Sequence, residues 1–232
     1  HLEHQLKQKP LEHFKNISTD KLLRIMDQLR DIKVNSELII GLPGETASSW
    51  ADTLFKHPEL GIDFARAYPL YVLPNTPMAT KEYRTKHKIK TKKINLPNKE
   101  TFEMIYECSS YDLDEITQIY LNWWYFNTFY NFGIDKTITK DTMKDFFASL
   151  KDMPFMSCCV EEVRNILHRI FKPEDSMLLE GYDYNFLHKQ LGRGKELLYM
   201  KKHSKTVQEE LGIKFEINND DKELGSAFAY IK

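Results

Sequence analysis

A short apolar run enters a glycine-rich turn at residues 37–46, which read Glu37-Leu38-Ile39-Ile40-Gly41-Leu42-Pro43-Gly44-Glu45-Thr46. The apolar run at 38–40 predicts a buried strand, and the glycines and proline that follow predict a tight turn at 41–44. Thr46 is a residue type favoured at the N-cap of a helix, which predicts a helix over about residues 47–56. The residues expected to face inward from this helix are Trp50, Leu54 and Phe55.

The 41–44 turn (Gly41-Leu42-Pro43-Gly44) lacks the pattern of a nucleotide-phosphate loop. No Lys follows its second glycine, as a P-loop requires, and the three-glycine pattern of dinucleotide-binding folds is missing. Taken alone, the turn is typical of a strand-to-helix connection in which glycine supplies an unusual backbone angle and Thr46 caps the helix.

Similar signals flank this segment on both sides. Helical spacing of apolar residues over 21–33 precedes it, with Ser18, Thr19 or Asp20 as cap, and a second strand is predicted over 64–73. Pro69 restricts that strand to an edge position or a bulge. Helix, strand, helix and strand in this order are typical of a parallel α/β sheet or barrel, where ligands bind at the carboxyl ends of strands. The 41–44 turn and the 73–77 loop both follow such ends.

Composition bounds the class of protein. Of 232 residues, 41% are hydrophobic and 29% charged, which excludes a largely disordered chain. Lys and Arg number 33 against 34 Asp and Glu, so net charge gives no reason to expect nucleic acid or an anionic membrane as partner. No apolar run approaches the roughly 20 residues that span a bilayer, and no signal-peptide core is present. Three cysteines are too few for a disulfide framework, which favours a reducing, cytoplasmic compartment.

Two linked segments resemble the last two strands of the radical S-adenosylmethionine barrel. The first is residues 37–46, and the second reads Tyr68-Pro69-Leu70-Tyr71-Val72-Leu73-Pro74-Asn75-Thr76-Pro77-Met78. They are most similar to the cobalamin-associated branch, and Lys9-Pro10 is similar to an Arg-Pro pair in its members. The resemblance covers about residues 1–97. It implies the closing part of a parallel (β/α) barrel of the α/β class, and from the patterns of the later residues we predict a mainly helical C-terminal domain after it.

The chain departs from that family at its defining motif. The Cys-x-x-x-Cys-x-x-Cys that holds the cluster is absent, because Cys108, Cys158 and Cys159 do not have this spacing. The resemblance therefore implies that the 4Fe-4S cluster and cobalamin are bound by a missing N-terminal portion of the same protein. The first residue is His1 rather than Met, so we expect a fragment that performs no radical chemistry by itself.

The resemblance also implies roles in S-adenosylmethionine binding. Glu37 takes the place of an acidic residue near the ribose or methionyl end, and Ile39 that of an aliphatic residue that packs on adenine. Tyr68 and Tyr71 match positions near the adenine ring, although strand alternation lets only one face inward unless Pro69 introduces a bulge. The alternatives are a core residue for Ile39 and a rim carboxylate for Glu37. Two residues of the turn complete the expected wall, by giving access to the backbone and by stiffening it: Gly41 and Pro43.

Residues 81–93 contain seven Lys or Arg residues against one Glu82. This run predicts a solvated linker that extends over residues 81–97. A phosphate-binding patch is the alternative. We place a domain boundary at Leu96-Pro97-Asn98, which divides the chain into 1–97 and 98–232.

The C-terminal half has mainly helical patterns. We predict a short helix over 101–110, a longer aromatic one over 113–132, and amphipathic helices over 140–150 and 159–171. The aromatic helix is expected to form a hydrophobic core or a wall facing substrate, with Asn127 and Asn131 on a shared face. Cys158 and Cys159 are predicted to be buried free thiols, because no metal-ligand spacing surrounds them.

Two hypotheses of function remain. The first is the C-terminal region of a cobalamin-dependent radical S-adenosylmethionine enzyme, a methyltransferase or another substrate-modifying type, for which no catalytic residue or substrate is readable. The second is a non-catalytic helical interaction module on a remnant barrel, whose basic segment binds nucleic acid or an acidic protein. A cluster motif encoded about a hundred residues before His1 would favour the first hypothesis, and a start codon directly before His1 the second.

Overall fold

The computed structural model describes residues 19–28, 33–95, 101–131, 134–135, 137–171 and 202–214. Its helices and strands are α1 (Thr19–Gln28), β1 (Asn35–Ile40), α2 (Ala47–Glu59), β2 (Phe64–Pro69), β3 (Tyr71–Val72), α3 (Lys81–Lys86), β4 (Lys90–Asn95), β5 (Thr101–Glu107), α4 (Leu113–Phe126), α5 (Lys140–Ser149), α6 (Pro154–Phe171) and α7 (Ser204–Leu211). A π-helical turn follows α4 at Asn127–Asn131. Lys9-Pro10, Ser18, the 96–98 boundary and the segment 172–201 lie outside the described residues.

β1 and β2 form a two-stranded parallel sheet, with α2 as the crossover between them. Along β1, Leu38 and Ile40 are buried, whereas Glu37 and Ile39 are exposed on the opposite face. The predicted strand, turn and helix are therefore confirmed, and so is the mixed α/β class. Among the described residues these strands do not close into a barrel.

Helix α2 begins where the sequence predicted it. The Thr46 side chain accepts a hydrogen bond from the Ser49 amide, and the Ser49 side chain accepts one from the Thr46 amide, which forms a capping box. The three residues predicted to face inward are all buried, and the helix continues to Glu59. Two of these residues, Trp50 and Phe55, contact the rings of Trp123 and Phe126, so α2 packs against the aromatic segment that follows β5 in the chain.

The single strand predicted over 64–73 is instead two strands in different sheets. β2 ends at Pro69, and β3 begins at Tyr71 in a three-stranded antiparallel sheet of order β3-β5-β4. The amide of Leu70, between them, still donates to the Ile40 carbonyl (3.0 Å). Because Pro69 cannot donate a hydrogen bond, the chain leaves one sheet here without breaking a ladder.

The basic segment, which was predicted to be a solvated linker, has regular structure in its described part. It folds into α3 and β4, and β4 pairs with β5 in antiparallel register. Lys92 of β4 is buried, and its Nζ donates to the carbonyl of Ile170 near the C-terminus of α6 (3.3 Å). A carbonyl at the negative end of a helix stabilises this buried ammonium group.

The helix predicted over 101–110 is wrong, because residues 101–107 form strand β5. This strand has partners on both sides, with Tyr71 of β3 opposite Met104 and Thr91 of β4 opposite Ile105. Its β-branched and aromatic residues suit a strand, and the pairing across distant segments outweighs the helical spacing of its apolar residues.

The aromatic helix forms a core, as the first of its two interpretations predicted. α4 and the π-helical turn are buried from Tyr120 to Asn131, while Phe132 and Gly133 lie outside the described residues. The Trp50 ring of α2 contacts Trp123 of α4, with ring centroids 6.5 Å apart. One hydrophobic cluster joins residues of β1, α2, α4, α5 and α6. Within the described segments, no helix is long and apolar enough to cross a membrane.

Candidate functional site

The carboxyl ends of β1 and β2 lie side by side at one edge of the parallel sheet. The 41–44 turn follows β1 there, and both of its glycines have positive φ, +88° at Gly41 and +98° at Gly44. A Cβ atom at Gly41 would lie 3.2 Å from the Ile116 side chain, so both backbone angle and space require glycine. The predicted placement of the two strand ends side by side is therefore confirmed for β1 and β2. The 73–77 loop, which was predicted to follow the second parallel strand, instead follows β3 in the antiparallel sheet.

The sheet has one covered and one open face. Ala65, Ala67 and Pro69 of β2 are buried on the covered face, as are Leu38 and Ile40 of β1. The open face carries the remaining side chains, and Ile39 is 38% exposed although it is large and apolar. In register, Glu37 pairs with Arg66 and Ile39 with Tyr68.

The open face carries both apolar surface and a hydrogen-bond acceptor. Ile39 and half-buried Tyr68 give apolar surface for a purine, and Glu37 is a hydrogen-bond acceptor. The guanidinium carbon of Arg66 lies 5.8 Å from the centroid of the Phe64 ring. The structure thus brings together three of the residues selected from sequence, Glu37, Ile39 and Tyr68.

Tyr71 is placed differently from those three. It belongs to β3 in the other sheet, where it packs against the hydrophobic core. Its phenol lies close to that of Tyr120, and burial together with this neighbour raises the pKa of Tyr120 well above its usual value. Strand alternation would allow only one of Tyr68 and Tyr71 to face the site. The structure separates them by a change of sheet after Pro69, not by a bulge within β2.

Two side chains from outside the α/β part hold the 41–44 turn. The Tyr111 hydroxyl donates to the Gly41 carbonyl (2.6 Å), and the Ser110 Oγ accepts from the Gly44 amide (2.8 Å). These residues belong to the 108–111 turn (Cys108-Ser109-Ser110-Tyr111), which closes through a hydrogen bond from the Cys108 amide to the Tyr111 carbonyl (3.0 Å). Burial raises the pKa of Tyr111 well above its usual value, so its hydroxyl stays protonated and able to donate.

Helix α4 binds the first residue of α2 in the same manner. The Ala47 amide donates to Glu115 Oε1 (2.6 Å), and Asn122 Nδ2 donates to the Ala47 carbonyl (3.1 Å). A carboxylate at the N-terminus of α2 also interacts favourably with the helix dipole. The start of α2 is therefore fixed by side chains of α4 as well as by its own cap.

Asn131 binds the backbone of β2 through its side chain. Its Oδ1 accepts from the Ala65 amide (3.0 Å), and its Nδ2 donates to the Ala65 carbonyl (2.9 Å) and to Asn127 Oδ1 (2.7 Å). Asn127 and Asn131 thus share a face, and this face is directed at the strand.

Sequence reasoning missed the four residues that support the turn and α2: Ser110, Tyr111, Glu115 and Asn122. Their partners lie 66 to 75 positions away in the chain, so no local pattern marks them. One signal was present, since Asn122 is a polar residue within an otherwise apolar stretch of α4. A buried polar side chain must have a hydrogen-bond partner.

Beyond the strand ends, a surface cavity of about 790 Å³ opens beside α3. Its lining residues are Asn75, Thr76, Pro77, Ala79, Thr80, Glu82, Tyr83 and Lys86. The rings of Tyr83 and His87 lie 4.3 Å apart, and burial together with the charge of Lys86 lowers the pKa of His87. The cavity therefore has both aromatic and charged groups next to the 73–77 loop.

The cysteines do not form a metal site in this structure. Cys108 is buried and Cys159 half-buried, but Cys158 is exposed, so the prediction that the adjacent pair is buried is wrong for Cys158. Burial raises the pKa of Cys159 to about 11, which keeps it a neutral thiol. No group of three or more His, Cys, Asp or Glu side chains in the described ranges could hold a metal ion. This donor set does not fit an iron–sulfur cluster.

Comparison with known proteins finds partial similarity. No family model matches the chain. It is 26% identical over 110 residues to a tRNA-2-methylthio-N(6)-dimethylallyladenosine synthase of Marinomonas sp. (strain MWYL1), which covers 47% of this chain and 24% of that protein. It is 32% identical over 76 residues to the protein of the same name in Hahella chejuensis (strain KCTC 2396), which covers 33% of this chain and 17% of that protein. The chain thus spans about a quarter of these relatives or less.

Proposed function

We propose that this chain is part of a radical S-adenosylmethionine enzyme that carries out group transfer. The partial similarity to the two synthases supports the radical S-adenosylmethionine class and a transferase type of chemistry. The observation that carries the proposal is the open face at the ends of β1 and β2, where Glu37, Ile39 and Tyr68 lie together.

In this proposal each residue has a separate role at the nucleoside. Ile39 and Tyr68 contact the purine through their apolar surfaces, and Glu37 accepts from a ribose hydroxyl or from the ammonium group. Gly41 supports the wall through its positive φ beneath Tyr111, and buried Pro43 limits the conformations of the turn. Access of the ligand to the backbone at Gly41 stays a prediction. Tyr71 lies in the other sheet, and its role at this site remains a prediction.

The proposal assigns this chain one wall of the S-adenosylmethionine site and no cluster ligand. We place the 4Fe-4S ligands in another portion of the protein, because the cysteines here do not fit a cluster. Cobalamin draws no support from the relatives, and the proposal omits it.

Equilibrium binding of S-adenosylmethionine to the cluster-loaded protein tests this assignment. Ile39→Ala should weaken binding several-fold, because it removes apolar surface under the purine. Leu23→Ala is the matched control, since Leu23 is an equally exposed aliphatic residue (43% against 38%) on α1. Equal affinities of the Ile39 and Leu23 variants would contradict the proposed wall.

A second candidate function is RNA binding by the basic surface of α3 and β4. Four of its lysines are exposed and form no ion pair with any described residue: Lys81, Lys86, Lys88 and Lys93. The relatives are named for the modification of a tRNA nucleoside, which favours an RNA substrate. Arg84 and Lys90, by contrast, are already paired with Glu103 and Glu107.

A further inference from the structure

We propose that Ser110 and Tyr111 are positioning residues that hold the 41–44 turn in the shape the nucleoside site requires. The inference rests on the proposed function and adds to it a control of the site by the C-terminal half of the chain. Both residues lie outside residues 1–97, the segment that resembles the radical S-adenosylmethionine barrel. We assign neither of them a contact with S-adenosylmethionine.

The two hydrogen bonds act at the first and last residues of the turn. Gly41 offers its carbonyl to Tyr111, and Gly44 offers its amide to the Ser110 hydroxyl. Both glycines have positive φ, a region that glycine enters as easily as its mirror image. Pro43 and a hydrogen bond from the Glu45 amide to the Leu42 carbonyl (3.0 Å) define the turn locally, and the Tyr111 and Ser110 contacts fix the positions of its two ends.

Burial makes the Tyr111 contact hard to replace. The Tyr111 side chain is 3% exposed, and Gly41 is buried beneath it. When the hydroxyl is removed, water does not reach the Gly41 carbonyl easily, and a buried carbonyl without a partner is costly. The turn can then regain a hydrogen bond only by changing its conformation.

The chain contains a matched control for this contact. The Tyr130 hydroxyl donates to the Ile62 carbonyl at 2.6 Å, the same distance as in the Tyr111 contact, and Tyr130 is also buried. Ile62 lies before β2, at the opposite end of the parallel sheet from the 41–44 turn. Tyr130→Phe thus removes an equivalent bond just before β2, at a distance from the 41–44 turn.

The experiment compares wild type, Tyr111→Phe, Tyr130→Phe and Ser110→Ala in the cluster-loaded protein, with Ser110→Thr as the variant that keeps the hydroxyl. Amide hydrogen exchange over residues 42–46 and S-adenosylmethionine affinity are measured on the same preparations. For Tyr111→Phe and Ser110→Ala we expect exchange about tenfold faster and affinity at least about fivefold weaker. Tyr130→Phe and Ser110→Thr should leave both quantities within about twofold of wild type.

Three results would overturn the positioning role. The first is unchanged exchange over residues 42–46 in Tyr111→Phe. The second is faster exchange with unchanged affinity, and the third is an equal loss of affinity in Tyr111→Phe and Tyr130→Phe, which would indicate only general destabilisation. A wild-type protein that binds no S-adenosylmethionine would refute the proposed function, and the exchange comparison alone would then decide whether the two side chains hold the turn.

Discussion

At the scale of single residues, side-chain amides substitute for backbone partners. A carboxamide presents one acceptor and one donor in a plane, as a peptide unit does, and Asn131 uses both on Ala65. Asn122 and Glu115 together do the same for Ala47. These contacts join the C-terminal half to the parallel sheet by directional bonds as well as by apolar packing.

Asn131→Ala should lower the free energy of unfolding by about 2 kcal/mol or more. The change leaves the amide and carbonyl of Ala65 buried without a partner, and each such group costs about 1–3 kcal/mol. Urea unfolding measures the difference. Asn165→Ala, the same change at an exposed position of α6, serves as control and should stay within about 0.5 kcal/mol of wild type.

The adjacent cysteines should react at very different rates with iodoacetamide. The pKa of Cys159 is raised to about 11, so at pH 8 only about 0.1% of it is thiolate, the reactive form. Cys158 is exposed and should be labelled first. Labelling of Cys159, followed by mass spectrometry in Cys158→Ser, should rise about tenfold per pH unit between pH 8 and 10. A rate that is independent of pH would contradict this assignment.

At the scale of elements, local signals decided what could be predicted. β1, the turn and α2 were predicted because an apolar run, two glycines and a capping threonine agree on one local structure. β5 was not, because the spacing of its apolar residues also fits a helix and only its pairing with β3 and β4 selects a strand. The contacts of Ser110 and Tyr111 were invisible for the same reason, since tertiary structure alone brings them to the turn.

The basic surface of α3 and β4 yields a prediction at this scale. Reversing the charge at Lys81, Lys86, Lys88 and Lys93 should abolish binding of a short fluorescein-labelled single-stranded RNA, measured by anisotropy. Each phosphate contact contributes about 0.7 to the slope of log affinity against log salt, so the wild-type slope should be near −3. The control reverses four other exposed lysines, Lys56, Lys151, Lys202 and Lys214. An equal loss of binding in both sets would contradict a localised RNA surface.

At the scale of the whole molecule, one core connects the two halves that the sequence divided near residue 97. Residues of β1 and α2 belong to the same hydrophobic cluster as residues of α4, α5 and α6. Charge and composition suggested a boundary because lysines are mostly solvent-exposed, yet Lys92 lies buried against the end of α6. The division into 1–97 and 98–232 stays a prediction that unfolding can test.

Trp123→Ala should destabilise the entire described core, by about 3–5 kcal/mol, because Trp123 is fully buried between α2 and neighbouring aromatic residues. With a shared core, Trp fluorescence and far-ultraviolet circular dichroism should report a single coincident unfolding transition. Phe147→Ala, at a half-buried position of α5, is the milder control. Two separate transitions would instead support two independent domains.

The placement of Asn131 on β2 also limits how copies of this sheet can associate. The Asn131 side chain is bound to Ala65 and the π-helical turn packs along β2, so within the described part of the chain no added strand can pair at this edge of β2. Because the Asn131 side chain occupies the amide and carbonyl of Ala65, this edge of β2 cannot act as a template for further strands, which protects the sheet from edge-to-edge aggregation on that side.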